Sequence, residues 1–227
     1  MTDPLPCGRS RRPIPWIALP LLSLPLLLCG CAVLGFAASA VPEGDIPARY
    51  KDLRGHSVAA LAWSHRGLET DYPALRLDLI SAVHGRLQTA QKAGRGELKE
   101  ATFPHVPASM VRFQEDHPEL ERSPIVNVAP RLNVQRLIYI EIENFQTRSE
   151  QAVDLFRGSA TVSLRVIEVE GGNAKVAYEE SGLTVTYPPA APIEGVPGAG
   201  DARIYRGTVD QLATVIAKRF YAHPSGK

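Results

Sequence analysis

The chain has 227 residues, with 25 Lys and Arg against 24 Asp and Glu, a formal net charge of +1, and 44% hydrophobic residues. No basic run follows Arg12, so nucleic acid is not an expected partner, because phosphate binding needs clustered Lys and Arg. The cysteines are Cys7, Cys29 and Cys31, which leaves the rest of the chain without an internal disulfide or a thiol nucleophile.

The N-terminal segment "MTDPLPCGRSRRPIP" groups Arg9, Arg11 and Arg12 and runs into an uncharged apolar stretch from Trp16 to Leu28. Basic, then apolar, then small residues is the layout of an export signal. The stretch closes on Leu28, Cys29, Gly30 and Cys31. These four positions resemble the lipobox of bacterial lipoproteins, in which the final cysteine becomes the acylated first residue of the mature chain. The resemblance implies cleavage before Cys31, a lipid on Cys31, and a membrane-bound protein facing the periplasm. Ala32, in place of the Asp that retains some lipoproteins at the inner membrane, favours the outer membrane on the same resemblance. Two alternatives use the same stretch. Ala38-Ser39-Ala40 fits an ordinary signal peptidase site, and Trp16–Val41 is long enough to span a hydrocarbon core of roughly 30 Å, though Pro20 and Pro25 would each break its hydrogen bonding.

The expected organisation is a signal over 1–30, a lipidated flexible tether over 31–56, one domain over 57–222 and a tail over 223–227. Pro42, Gly44, Pro47 and Gly55 give the tether its irregular character. Ser57–Trp63 is an almost unbroken apolar run, which suits a strand covered on both faces in the middle of a sheet. A helix follows, with Asp71 as cap, Pro73 in its first turn, and Leu75, Leu79, Val83 and Leu87 at four-residue spacing. Prolines at 104, 107, 118, 124 and 130 cut the middle into pieces. Short helices are expected over Pro107–Asp116 and around Ile125–Leu132.

Beyond these, "RLIYIEIENF" alternates, with Ile138, Ile140 and Ile142 on one face and Tyr139, Glu141 and Glu143 on the other. "GSATVSLRVIEV" alternates too, placing Ala160, Val162, Leu164 and Val166 opposite Thr161, Ser163 and Arg165. Gly171-Gly172-Asn173 turns that strand into an antiparallel hairpin with 174–187. A Pro- and Gly-rich loop leads to a last helix over 208–221, striped by Val209, Leu212, Ala213, Ile216, Ala217 and Phe220. The fold class is therefore α/β in the α+β sense: a single two- or three-layer domain, with a mixed, mostly antiparallel sheet and helices packed on it.

The run from Leu132-Asn133-Val134 through Leu137–Ile142, then Val166-Ile167-Glu168 through Gly171-Gly172 to Val176, resembles a domain type of the bacterial envelope. It is shared by curli-secretion-channel lipoproteins, lipoproteins that activate penicillin-binding proteins, and the N-terminal domain of the Tol-system propeller protein. The resemblance implies a noncatalytic envelope role. The membrane-spanning hairpins of a secretion channel have no counterpart in the pattern.

Enzyme signatures are missing: there is no Gly-x-Ser-x-Gly, no His-Glu-x-x-His and no phosphate-cradling glycine loop. The six histidines are scattered, and none has another at ligand spacing on a helix. Glu115, Asp116 and His117 form the densest polar cluster and read as a solvated helix end; Glu141 and Glu143 read as the wet face of a sheet, and Trp63 and Phe145 as core or rim. No catalytic residue, metal site or cofactor is expected. The expected role is an adaptor or assembly factor for another envelope protein, bound to membrane lipid through Cys31, with a homo-oligomer allowed. A secretion-channel subunit and a periplasmic hydrolase are the alternatives. The candidate partner-binding residues are Pro188, Pro189, Pro192, Ile193 and Val196 in the Pro-rich loop.

Overall fold

The computed structural model describes residues 44–149, 154–190, 192 and 194–225. The lipobox residues Leu28, Cys29, Gly30 and Cys31, and Ile193 of the loop, lie outside them. Among the described residues no helix is long and apolar enough to cross a membrane.

In chain order the elements are β1 (Val58–Ser64), α1 (Arg66–Asp71), α2 (Leu75–Lys92), α3 (Pro107–Asp116), α4 (Ile125–Val128), β2 (Arg136–Arg148), β3 (Leu155–Glu170), β4 (Asn173–Tyr187), β5 (Val196–Pro197) and α5 (Asp201–Ala217). Short 3₁₀ turns occupy Gly96–Leu98, Pro118–Arg122 and Ala129–Leu132. The sheet order is β1-β2-β3-β4, with β5 pairing β3. Among the described strands only β1 and β2 run parallel. This is the expected mixed, mostly antiparallel sheet with helices packed against it.

Alternation along the strands gives the sheet two unlike faces. Ile138, Ile140 and Ile142 stand in register with Val166, Leu164 and Val162 of β3, and all six are 0 or 1% exposed. That face is covered by α2 and α5. Leu212 and Ile216 of α5 are fully buried there, each contributing roughly 1.5–3 kcal/mol of transfer free energy. The second face carries Leu137, Tyr139, Glu141, Ile167, Arg165 and Ser163 in register. The segment holding α3, α4 and the neighbouring 3₁₀ turns covers its Leu137–Ile167 end, where both side chains are 0% exposed, and reaches as far as Tyr139 and Trp63.

Four local expectations are corrected. β1 is an edge strand, not a central one; its outer edge is closed by Thr102, whose carbonyl accepts from the Val58 amide at 2.8 Å, and by Gln114, whose Nε2 donates to the Ala62 carbonyl at 3.1 Å. Asp71 does not cap α2. It ends α1, which His65 caps by accepting from the Leu68 amide, and α2 starts after Ala74. The last helix begins at Asp201 rather than 208. Gly207 discourages a helical reading, yet it is a contact point: a Cβ there would lie 2.2 Å from the Tyr187 ring.

The fourth correction concerns residues 45–56, expected to be flexible tether. They form a strap bonded to residues 219–223, to Lys99 and to the start of β2. Ile46 and His223 exchange backbone hydrogen bonds of 2.8 and 3.1 Å, so the expected tail is also tied down at its first residue. Ala48, Tyr50 and Leu53 are buried. Arg136, 2% exposed, donates from Nε to the Asp52 carbonyl at 3.1 Å and pairs with the Asp52 carboxylate at 2.5 Å. Nothing in the strap has a helical or strand period, so its buried residues gave no local signal.

Candidate functional site

The uncovered part of the second sheet face holds a charged ladder. Arg165 of β3 stands opposite Tyr139 of β2 and Glu179 of β4. Its Nε donates to Glu179 Oε1 at 2.8 Å and its Nη1 to Glu141 Oε2 at 3.4 Å. The hydrogen bond to Glu179 raises the Arg165 pKa. Burial, reinforced by the Glu141 charge, pushes the Tyr139 phenol up to about 12. Tyr139 is therefore neutral at physiological pH and serves as an amphipathic wall.

Glu143 is the extra residue of a bulge, since Ile142 pairs with Val162 while Asn144 pairs with Thr161. Its carboxylate accepts from Ser163 Oγ at 2.5 Å. Further along, the Thr161 and Thr184 hydroxyls meet at 3.1 Å. The face thus sets Glu141 and Glu179 on one guanidinium, with a third carboxylate, Glu143, held by Ser163 on the same face.

Beside the ladder the segment after α3 borders a small, partly open slot of about 50 Å³, space for a few waters or one small apolar side chain. Trp63, Phe113, Leu120, Ile125 and Tyr139 are among its walls. The slot needs three separate elements: Trp63 comes from β1, Phe113 from α3 and Tyr139 from β2. Trp63 is in register with Glu141, which places the slot and the ladder on the same face.

The residues singled out from sequence are not gathered into one site. Glu115 and Asp116 are exposed at the end of α3, and His117 bonds Glu119 at 3.1 Å. Phe145 is core. His56 faces Arg136, His84 packs edge-on to Phe103, and His105 bonds the Leu132 carbonyl. Among the described residues no three His, Cys, Asp or Glu side chains are placed to hold a metal ion.

In the Pro-rich loop, Pro189 and Pro192 are exposed, and Pro188 is half-buried after a cis Tyr187–Pro188 bond. Residues 188–190 bend and turn instead of forming the extended backbone expected there. Val196 is not the exposed side chain expected: it is half-buried and pairs with Phe156 in β5. The residues missed by sequence reading were Arg165 and Glu179 as ladder partners and the slot around Trp63. The parity of β3 did put Arg165 on the polar face.

The class of protein defined so far is an α+β domain with one sheet face closed and the other half open. No protein-family model matches the chain, and no curated protein matches it. Among solved structures it is similar to the PelC dodecamer from Paraburkholderia phytofirmans, at 14% identity and a TM-score of 0.41, covering 79% of this chain and 94% of that one. It is also similar to the lipoprotein GNA1162 from Neisseria meningitidis, at 13% identity and TM-score 0.34 over 57% of this chain and 80% of that one. The hypothetical protein CT253 from Chlamydia trachomatis matches at 19% identity and TM-score 0.36 over 59% and 72%.

Proposed function

We propose that this chain is a lipid-anchored cell-envelope protein, acylated on Cys31 and facing the periplasm from the outer membrane, which acts without catalysis as an adaptor or assembly factor. The observation that carries the docking role is the half-open sheet face, where the Trp63 slot adjoins Glu141 and Glu179 paired with Arg165, and Glu143 bonded to Ser163. An apolar anchor site beside half-exposed charges is the usual make-up of an interface core and rim. The excess of carboxylates selects a basic segment of another envelope protein, with one apolar side chain entering the slot and Lys or Arg side chains meeting the glutamates. The signal ending at Cys31 supports the anchoring, because it resembles a lipobox and the chain has no later cysteine.

The loop residues Pro188, Pro189, Pro192 and Ile193 remain part of the proposal as a second contact, and Val196, paired into β5, does not. The β5 pairing limits the usable part to the residues before Gly195, where an added Cβ would lie 3.0 Å from the Phe156 carbonyl oxygen. A photo-cross-linker at Thr184, on the full chain in intact cells, tests the docking face. The expected result is a cross-linked peptide containing Lys or Arg, lost when Glu141, Glu143 and Glu179 are all changed to Gln. Recovery of the same peptide from the triple variant would overturn the reading.

A further inference from the structure

We infer that a second, separate site lies where β2 ends against the helical layer, and that it binds a neutral saccharide unit. The site is an open groove of about 650 Å³, within the size range of ligand pockets. It lies at the far end of β2 from Arg136 and does not rest on the docking face.

The floor is aromatic. Tyr72, which follows α1, and Tyr205 of α5 lie nearly parallel, with ring centroids 6.0 Å apart and planes 18° apart. Both rings meet the edge of buried Phe145, at 4.9 and 5.5 Å. Tyr205 is fixed further by donating its hydroxyl to Asp78 at 2.8 Å. That bond and burial of the ring raise its pKa, burial being the larger cause, so the ring stays neutral. Two offset rings held on a third make a rigid apolar surface at low entropic cost.

Polar groups surround this floor. Arg148 and Asp201 form an ion pair in the groove wall, each side chain close to half exposed. Asp71 lines the same groove as an exposed carboxylate. A pyranose matches this arrangement. It has an apolar C–H face for the rings and a belt of hydroxyls, each able to donate to a carboxylate and accept from a guanidinium. Charge narrows the class: among the described residues the Arg148–Asp201 pair is self-neutralised while Asp71 in the groove and Asp78 and Asp154 close by add negative charge, so uronates are disfavoured.

The test is titration of the full chain in detergent with cellohexaose, chitohexaose and a galacturonate hexamer, followed by calorimetry. A neutral hexasaccharide should bind saturably, and the galacturonate hexamer about tenfold more weakly. Tyr72→Ala should weaken neutral binding about tenfold by removing half the aromatic floor. Asp71→Asn, an exposed position that folding does not need, should weaken it and reduce the discrimination against galacturonate. Trp63→Ala, on the docking face, should leave binding unchanged. The proposal is overturned if no neutral hexasaccharide binds, if galacturonate binds as well as the neutral sugars, or if Asp71→Asn and Tyr72→Ala both bind like the parent.

Discussion

Replacing Gly158 with Ala probes how closely α5 lies on the sheet. Gly158 of β3 pairs with Tyr187 of β4 under the middle of α5. A Cβ at that position would sit 1.8 Å from Thr208 Oγ1, 3.0 Å from Ile204 Cγ2 and 3.1 Å from Thr208 Cβ. Ordinary contact needs roughly 3.5 Å, so helix and strand must separate by more than 1 Å at a place where Thr208 is fully buried. Thr208 cannot simply rotate away without giving up its 2.8 Å bond to the Ile204 carbonyl. Overpacking of this kind costs about 1–3 kcal/mol. At roughly 2–4 °C per kcal/mol for a chain of this length, the melting temperature should fall by about 2–12 °C. Thermal melting of the full chain in mild detergent, followed by far-UV circular dichroism, reads the change. Adding Thr208→Ala to Gly158→Ala should recover part of the loss, because the nearest clashing atom is then gone. A Gly158→Ala protein melting like its parent, or a double variant less stable than the sum of both singles, would refute the close approach.

Other outcomes follow from the same structure and sequence. Cys31→Ser should abolish fatty-acid labelling and leave an unprocessed precursor, whereas Cys29→Ser should still be labelled. Leu212→Asp or Ile216→Asp should abolish cooperative melting, since a buried unpaired charge costs several kcal/mol against a total stability of about 5–15. Asp201→Ala should cost only about 1 kcal/mol, because its pair with Arg148 is close to half exposed. Acid should destabilise the fold through Glu180: burial alone would raise its pKa, but hydrogen bonds from Arg219 and Tyr178 outweigh burial and hold it below the ordinary value of 4.5. Stability from that pairing is full above 4.5 and is lost as pH falls through the lower folded value. Urea melts from pH 6 to pH 2 should therefore show a shallower acid decline in Glu180→Gln than in the parent.

Elements whose burial follows a local period were legible in the sequence. α3 over Pro107–Asp116, the helical stretch around Ile125–Leu132 and the β3–β4 hairpin at Gly171-Gly172 are where they were expected. The two hairpin glycines have φ of +56° and +83°, the conformation that a tight two-residue turn demands. What failed were inferences about neighbours. An unbroken apolar run shows that β1 is covered on both sides, but not that Thr102 and Gln114, distant in sequence, do the covering at its edge. The strap failed for the same reason: Tyr50 packs against Phe220 and Asp52 is held by Arg136, which no window around residue 50 contains.

The two proposed surfaces were unequally visible, and the bulge in β2 explains why. Strict alternation from Ile142 puts residue 144 on the helical face and residue 145 on the polar one. The extra residue, Glu143, reverses this, so Phe145 pairs with Ala160 on the same face as Ile142 and Val162. Before the bulge, parity correctly sorts Tyr139 and Glu141 onto the open face, and half of the docking surface could be read directly. After it, parity misplaces Phe145, the ring on which Tyr72 and Tyr205 rest. The three-residue gap between Ile142 and Phe145 was the available signal. A spacing of three between apolar residues in an otherwise two-residue period is what a bulge produces. Without that shift Phe145 would point away from the helices, the tyrosines would lose their support, and no aromatic floor could form at this end of the sheet.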